Sequence, residues 1–111
     1  MKAKMTKRNL ALAAVVVLAV ADVALAAAVV TVDQKNIAFS TGKLVVPKGT
    51  VLNFTNSDRT SHNILITGNG VTINSGLQKS GVAFKTPLPK PGEYAVTCGI
   101  HPKMKLALTV Q

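Results

Sequence analysis

A thiol, an imidazole and a thioether fall within seven residues, Cys98-Gly99-Ile100-His101-Pro102-Lys103-Met104, in a chain of 111 residues that has one cysteine in all. Thiolate, imidazole and a weak thioether together suit a soft transition metal, copper above all. Three donors leave a fourth position to fill, and His62 is the only other histidine. At the Cys-x-x-His-x-x-Met spacing, two imidazoles and the thiolate can lie in a plane about the metal, with Met104 as a long axial ligand. Such a centre has no position open for substrate. It suits a carrier of single electrons through Cu(I) and Cu(II) better than an enzyme.

Other chemistries compete for the same residues. Taken singly, His62 reads as a surface or core histidine and Met104 as core packing. Zinc accepts cysteine and histidine, but methionine is a poor zinc ligand. A Cys98 nucleophile with a histidine base lacks a recognisable oxyanion-hole motif, and Asp58 is the only obvious acid to orient such a pair. A copper carrier or buffer is the alternative within the copper reading, although the chain has no Met-rich or His-rich stretch to receive and pass on the ion.

The elements that must position these donors are short alternating runs broken by Gly, Pro and Asn turns, with no sustained helical period. Strands are expected over Asn36–Phe39, extendable back to Val29, and over Lys43–Val46, Thr50–Thr55, His62–Ile66, Val71–Ile73, Val82–Lys85, Glu93–Cys98 and Lys105–Val110. The fold class is therefore all-β, a small antiparallel Greek-key sandwich. The polar run Asn56–Ser61 delivers the chain to His62, whereas Asn74–Ser80 has no readable pattern. His62 is in phase with Ile64 and Ile66, and Cys98 with Tyr94 and Val96, because side chains alternate along a strand. If those two strands are antiparallel, His62 at the start of one and Cys98 at the end of the other reach the same inner end of the sandwich. Tyr94 reads as a packing or corner residue.

Residues 1–28 read differently from the rest. Lys2, Lys4, Lys7 and Arg8 precede an apolar run from Leu10 to Ala21, and the segment ends in small residues. That order is an export signal, with cleavage after Ala26 or Ala28. The alternative is an uncleaved anchor from Leu10 to Val32, long enough to span a bilayer but carrying Asp22 near its middle. Residues 29–111 form the single folded domain, placed in the periplasm or on the outer face of the cytoplasmic membrane. Four of the thirteen Lys and Arg residues and one of the four acids lie in the first 28 residues, so the domain keeps nine basic side chains against Asp33, Asp58 and Glu93, a net charge of +6. Its lysines are scattered singly with little aromatic interleaving, which argues against nucleic acid and for steering toward an acidic protein or membrane surface. One cysteine in an exported chain cannot close an internal disulfide, and metal ligation would both hold the thiol and stabilise a small domain.

Over nearly the whole of residues 43–104 the sequence resembles the cupredoxin family, the blue copper proteins of the plastocyanin, pseudoazurin and amicyanin kind. The resemblance rests on Lys43-Leu44-Val45-Val46-Pro47-Lys48-Gly49-Thr50-Val51, on Asn56-Ser57-Asp58 and His62-Asn63, and on Pro91-Gly92-Glu93-Tyr94 and the Cys98–Met104 loop. The two-residue gap between His101 and Met104 is similar to the short ligand loop of the amicyanin group. The resemblance implies a monomeric electron carrier between redox proteins, with His62, Cys98, His101 and Met104 as ligands of one copper ion and His101 at the solvent edge. It also implies that Asn63 ties the two ligand loops together and that its backbone amide reaches the thiolate. Gly99 stands where several relatives have a Ser or Thr bonded to that Asn. Lys105-Leu106 replaces the Lys-Gly or Arg-Gly often found after the Met.

Overall fold

The computed structural model describes residues 27–88 and 90–111, so the expected export or anchor segment lies almost wholly outside the described residues. Eight strands follow in order: β1 (Val29–Gln34), β2 (Lys43–Val46), β3 (Val51–Asn56), β4 (Ile64–Gly68), β5 (Val71–Asn74), β6 (Phe84–Pro87), β7 (Gly92–Cys98) and β8 (Lys105–Val110). They form two sheets, ordered β1-β3-β6 and β2-β8-β7-β4-β5. Among the described residues there is no helix long and apolar enough to cross a membrane.

The all-β sandwich is as the alternation predicts. Leu106, Leu108 and Val110 of β8 and Tyr94, Val96 and Cys98 of β7 are all buried, as are Ile64 and Ile66 of β4. Opposite them lie Val32 of β1 and Leu52 and Phe54 of β3, with Phe39 packed edge-on to Phe54. The inner faces therefore share one core. Tyr94 is the expected corner residue: its ring is buried and its hydroxyl donates to Lys90 O at 2.5 Å, the arrangement of a tyrosine corner.

The strand directions are mixed, which departs from the expected antiparallel order. β1 runs parallel to β3, and β2 parallel to β8. Parallel neighbours need a crossover rather than a hairpin. Here the chain leaves β1, passes through β2 in the opposite sheet and returns as β3, so the crossover is a strand of the sandwich itself.

Three strands also differ by more than one residue from the expected boundaries. The first strand is Val29–Gln34, and Asn36–Phe39 is a turn in which Asn36 and Ile37 take φ of +55° and +54°. Left-handed backbone cannot continue a ladder, and only Phe39 returns to it, as an isolated bridge to Gln34. Val82 is excluded from β6 by a turn, with its N–H donating to Lys79 O at 3.0 Å and its side chain half exposed. His62 precedes β4 rather than opening it and pairs with Gln78 in an isolated bridge. Its inward phase is nonetheless the expected one, and its side chain is fully buried. The proline-rich run after β6 is tolerated because β6 is an edge strand.

Asp33 fastens β1 to the end of β3. Its carboxylate accepts the Thr55 hydroxyl at 2.7 Å and the Ser57 hydroxyl, and the Ser57 bond is the main reason its pKa lies below the ordinary carboxylate value. A depressed carboxylate contributes stability above its unfolded-state pKa, and that contribution is lost as pH falls through the folded-state value. Asp33→Asn is accordingly expected to lower the thermal midpoint slightly at neutral pH and to flatten its decline below about pH 4. Melting curves from pH 3 to 7 check this, and an unchanged acid slope would contradict it.

Candidate metal centre

The centre is assembled at one end of the sandwich by two neighbouring strands. β4 and β7 are antiparallel with Ile64 opposite Cys98, so the residues just before β4 lie beside the end of β7. The approach to β4 is shaped by Asn56, the last residue of β3. Its side-chain oxygen accepts Asp58 N–H at 3.0 Å, and its amide donates to Thr60 O at 3.1 Å and Gln78 O at 3.0 Å. This is the local side chain to backbone bonding by which Asn shapes turns. It holds residues 57–61 in the curve that presents His62.

His62 is held through its backbone as well. Its N–H donates to Gln78 O at 2.9 Å, and Gln78 N–H donates back to His62 O at 2.7 Å. The Gln78 side chain is buried and linked in turn: its amide donates to Phe54 O at 2.9 Å and Val82 O at 2.5 Å, and its oxygen accepts the Gln34 amide at 2.8 Å. A buried amide with its partners in place fixes its surroundings rigidly. The Asn74–Ser80 segment, unreadable in the sequence, is thus what braces His62 from behind.

Three donor atoms converge. His62 Nδ1 lies 3.1 Å from His101 Nδ1, Cys98 Sγ lies 3.8 Å from His62 Nδ1 and 3.7 Å from His101 Nδ1, and the three lie within 4.8 Å of one another. His62 and Cys98 are buried, while His101 is half-buried. Met104, in the same loop, is buried, and its N–H donates to His101 O at 3.0 Å, closing the turn.

The nitrogen to sulfur edges of this triangle fit a metal ion. Bonds of about 2.0 Å to nitrogen and about 2.3 Å to sulfur about a trigonal first-row ion give nitrogen to sulfur edges of about 3.7 Å. The far nitrogen of His62, Nε2, lies 3.0 Å from Asp58 Oδ2. A carboxylate accepts, so Nε2 carries the proton of the neutral ring and Nδ1 presents its lone pair to the centre. The Asp58 pKa is lowered, chiefly by the N–H of Ile37 and further by His62. Asn63 N–H donates to Cys98 Sγ at 3.2 Å.

Asn63 is therefore where the resemblance places it, but its side chain serves a different link. Its amide donates to Asn74 Oδ1 at 2.8 Å and Gly76 O at 3.0 Å, while the two ligand segments are joined by backbone, Gly99 N–H to Asn63 O at 2.9 Å. A Cβ on Gly99 would stand 2.3 Å from Asn63 Oδ1. With Asn63 so placed, only glycine fits, which accounts for the departure at Gly99. Sequence reasoning missed Asp58 as the partner of His62 and missed Gln78 and Ile37 altogether. The one signal was an acid four residues before a histidine, inside a loop where no periodicity applies.

The sequence matches the family model for cupredoxin-like domains over residues 8–110. The chain belongs to the cupredoxin-like family. Among solved structures, a reduced single-site variant of amicyanin shares its fold, with a TM-score of 0.69 and 21% identity over 78% of this chain and 86% of that one. A purple cupredoxin from Nitrosopumilus maritimus is 27% identical, with a TM-score of 0.64 over 73% of this chain and 98% of that one. A copper-containing nitrite reductase from Thermus scotoductus is also 27% identical, with a TM-score of 0.71; the match covers 83% of this chain but only 24% of the enzyme. No curated protein matches the chain. For this cupredoxin, family and donor set together make copper the cofactor and electron transport the functional class.

Proposed function

We propose that this cupredoxin is a periplasmic electron carrier and not an enzyme, in which His62, Cys98, His101 and Met104 hold one copper ion in a type 1 site. The observation that carries the reading is the convergence of two Nδ1 atoms and one Sγ within 4.8 Å, supported on the protein side by hydrogen bonds from strands and a closed loop. Bound copper supplies a one-electron Cu(I)/Cu(II) couple whose potential responds to the axial ligand and to bonding at the sulfur. The chain supplies rigidity: His62 and Cys98 are anchored by ladder and bridge, and little needs to move when the charge of the site changes.

Electrons pass at His101. Its ring edge opens on a hollow lined by Ile37, Ile100, Pro102 and Lys103, with Ile37 and Ile100 about half exposed. Apolar side chains around a half-buried ligand let a redox partner approach closely and exclude water, and the +6 domain steers acidic partners toward contact. Export fits the same picture. Val51 N–H donates to Ala28 O at 2.9 Å, so cleavage after Ala26 keeps a bond to β3 that cleavage after Ala28 would remove.

Purified protein titrated with Cu(II) tests the reading. The expected result is one equivalent bound, with intense thiolate-to-copper absorption and narrow copper hyperfine splitting in electron paramagnetic resonance. Colourless, weak binding overturns the type 1 assignment. Rapid electron exchange with copper retained supports the carrier, whereas transfer of the ion itself to an acceptor chelate supports the copper buffer.

A further inference from the structure

Asp58 Oδ2 accepts two hydrogen bonds at once, from His62 Nε2 at 3.0 Å and from the backbone N–H of Ile37 at 2.8 Å. Its other oxygen accepts Arg59 N–H at 3.0 Å. The residue is itself fixed, with its N–H on Asn56 Oδ1 at 3.0 Å and its carbonyl accepting the Ser80 hydroxyl at 2.5 Å. The side chain is 12% exposed, and among the described residues no lysine or arginine pairs with it. Its charge is thus directed at the His62 ring.

The second partner is unusual. Ile37 is β-branched and holds φ of +54°, a conformation such side chains avoid unless the surroundings impose it. It also lines the hollow beside the edge of His101. One carboxylate oxygen therefore joins the buried imidazole to the turn that flanks the half-buried one.

Resting on the copper reading above, we propose that Asp58 is a positioning residue with two effects: it holds His62 with Nδ1 toward the metal while its charge favours the oxidised over the reduced centre, and it clamps the Ile37 turn against His101. A carboxylate on the far nitrogen raises the electron donation of a ligating imidazole, and partners of this kind commonly change metal affinity by about 10–100-fold. The charge acts more strongly on the ion of higher charge. Its removal therefore weakens Cu(II) binding more than Cu(I) binding and raises the reduction potential.

The test compares the copper-loaded full chain with Asp58→Asn and Asp58→Ala, reading potential, absorption and backbone amide exchange. Asp58→Asn keeps the shape of the side chain and removes its charge. The expected result is retained thiolate-to-copper absorption with the oxidised state weakened about tenfold relative to the reduced, a rise of about 59 mV for a one-electron couple. In the copper-free protein the Ile37 amide is expected to be protected, and to exchange at least about tenfold faster in Asp58→Ala. An affinity ratio changed less than twofold in Asp58→Asn overturns the electrostatic effect. An Ile37 amide unprotected in the parent protein, or unchanged in a folded Asp58→Ala, overturns the clamp. Should the parent protein lack the thiolate band, the type 1 reading fails separately, and the exchange measurement still decides the clamp.

Discussion

Cys98→Ser is expected to abolish the visible absorption and to remove most of the stabilisation that copper gives, while leaving the fold in place. Cys98 is buried at the end of β7, and its sulfur accepts Asn63 N–H at 3.2 Å. Serine is close in shape and its oxygen can accept the same bond, so the copper-free variant is expected to lose less than about 1.5 kcal/mol. The metal site changes far more. A soft thiolate is replaced by a hydroxyl that stays protonated at neutral pH, and no other thiol exists in the chain. Copper at about a thousand times its dissociation constant stabilises the parent by about 4 kcal/mol. A variant whose affinity has dropped below the working concentration gains almost nothing. Paired melting curves with and without Cu(II), alongside visible spectra, read both effects, and a serine variant that stays coloured would rule out Cys98 as the ligand.

The donors were legible because their chemistry is written in residue type and short spacing, and because strand phase alone aims His62 and Cys98 inward. Alternation also made β7 and β8 plain, since Tyr94, Val96 and Cys98 and then Leu106, Leu108 and Val110 face one core. What alternation cannot show is which strand lies beside which. The parallel pairs β1–β3 and β2–β8 follow from crossing between sheets, a long-range outcome with no local signature. The Asn36–Phe39 error has a local cause of another kind. Apolar Ile37 and Phe39 read as strand, but an isoleucine held in left-handed backbone by a carboxylate twenty-one residues away breaks the pattern. Gln78 was hidden for the same reason: a buried glutamine has no periodicity, and its importance appears only when its five partners, Gln34, Phe54, Asn56, His62 and Val82, are in place.

Phe54→Ala is expected to cost about 3–5 kcal/mol, which is the range for emptying a buried phenylalanine site. Phe54 has no exposed surface, stands at the centre of β3 between Val32 and Phe84 in register, and packs edge-on to Phe39 with ring centroids 6.3 Å apart. Domains of this kind have a net stability of about 0.05–0.15 kcal/mol per residue, so the loss takes a large share of what residues 29–111 can hold. The consequence for the metal centre is indirect. The Phe54 carbonyl accepts the Gln78 amide, and Gln78 braces His62 through two backbone bonds, so sagging of β3 into the cavity loosens the buried ligand before the Cys98–Met104 loop. Copper-free Phe54→Ala is expected to unfold at far lower urea than the parent, and saturating copper to restore a folded, coloured protein by mass action. Urea titrations of both forms measure this. Phe54→Leu separates volume from position: it fills most of the cavity, and a loss as large as that of the alanine variant would show that ring packing against Phe39, rather than the void, sets the cost.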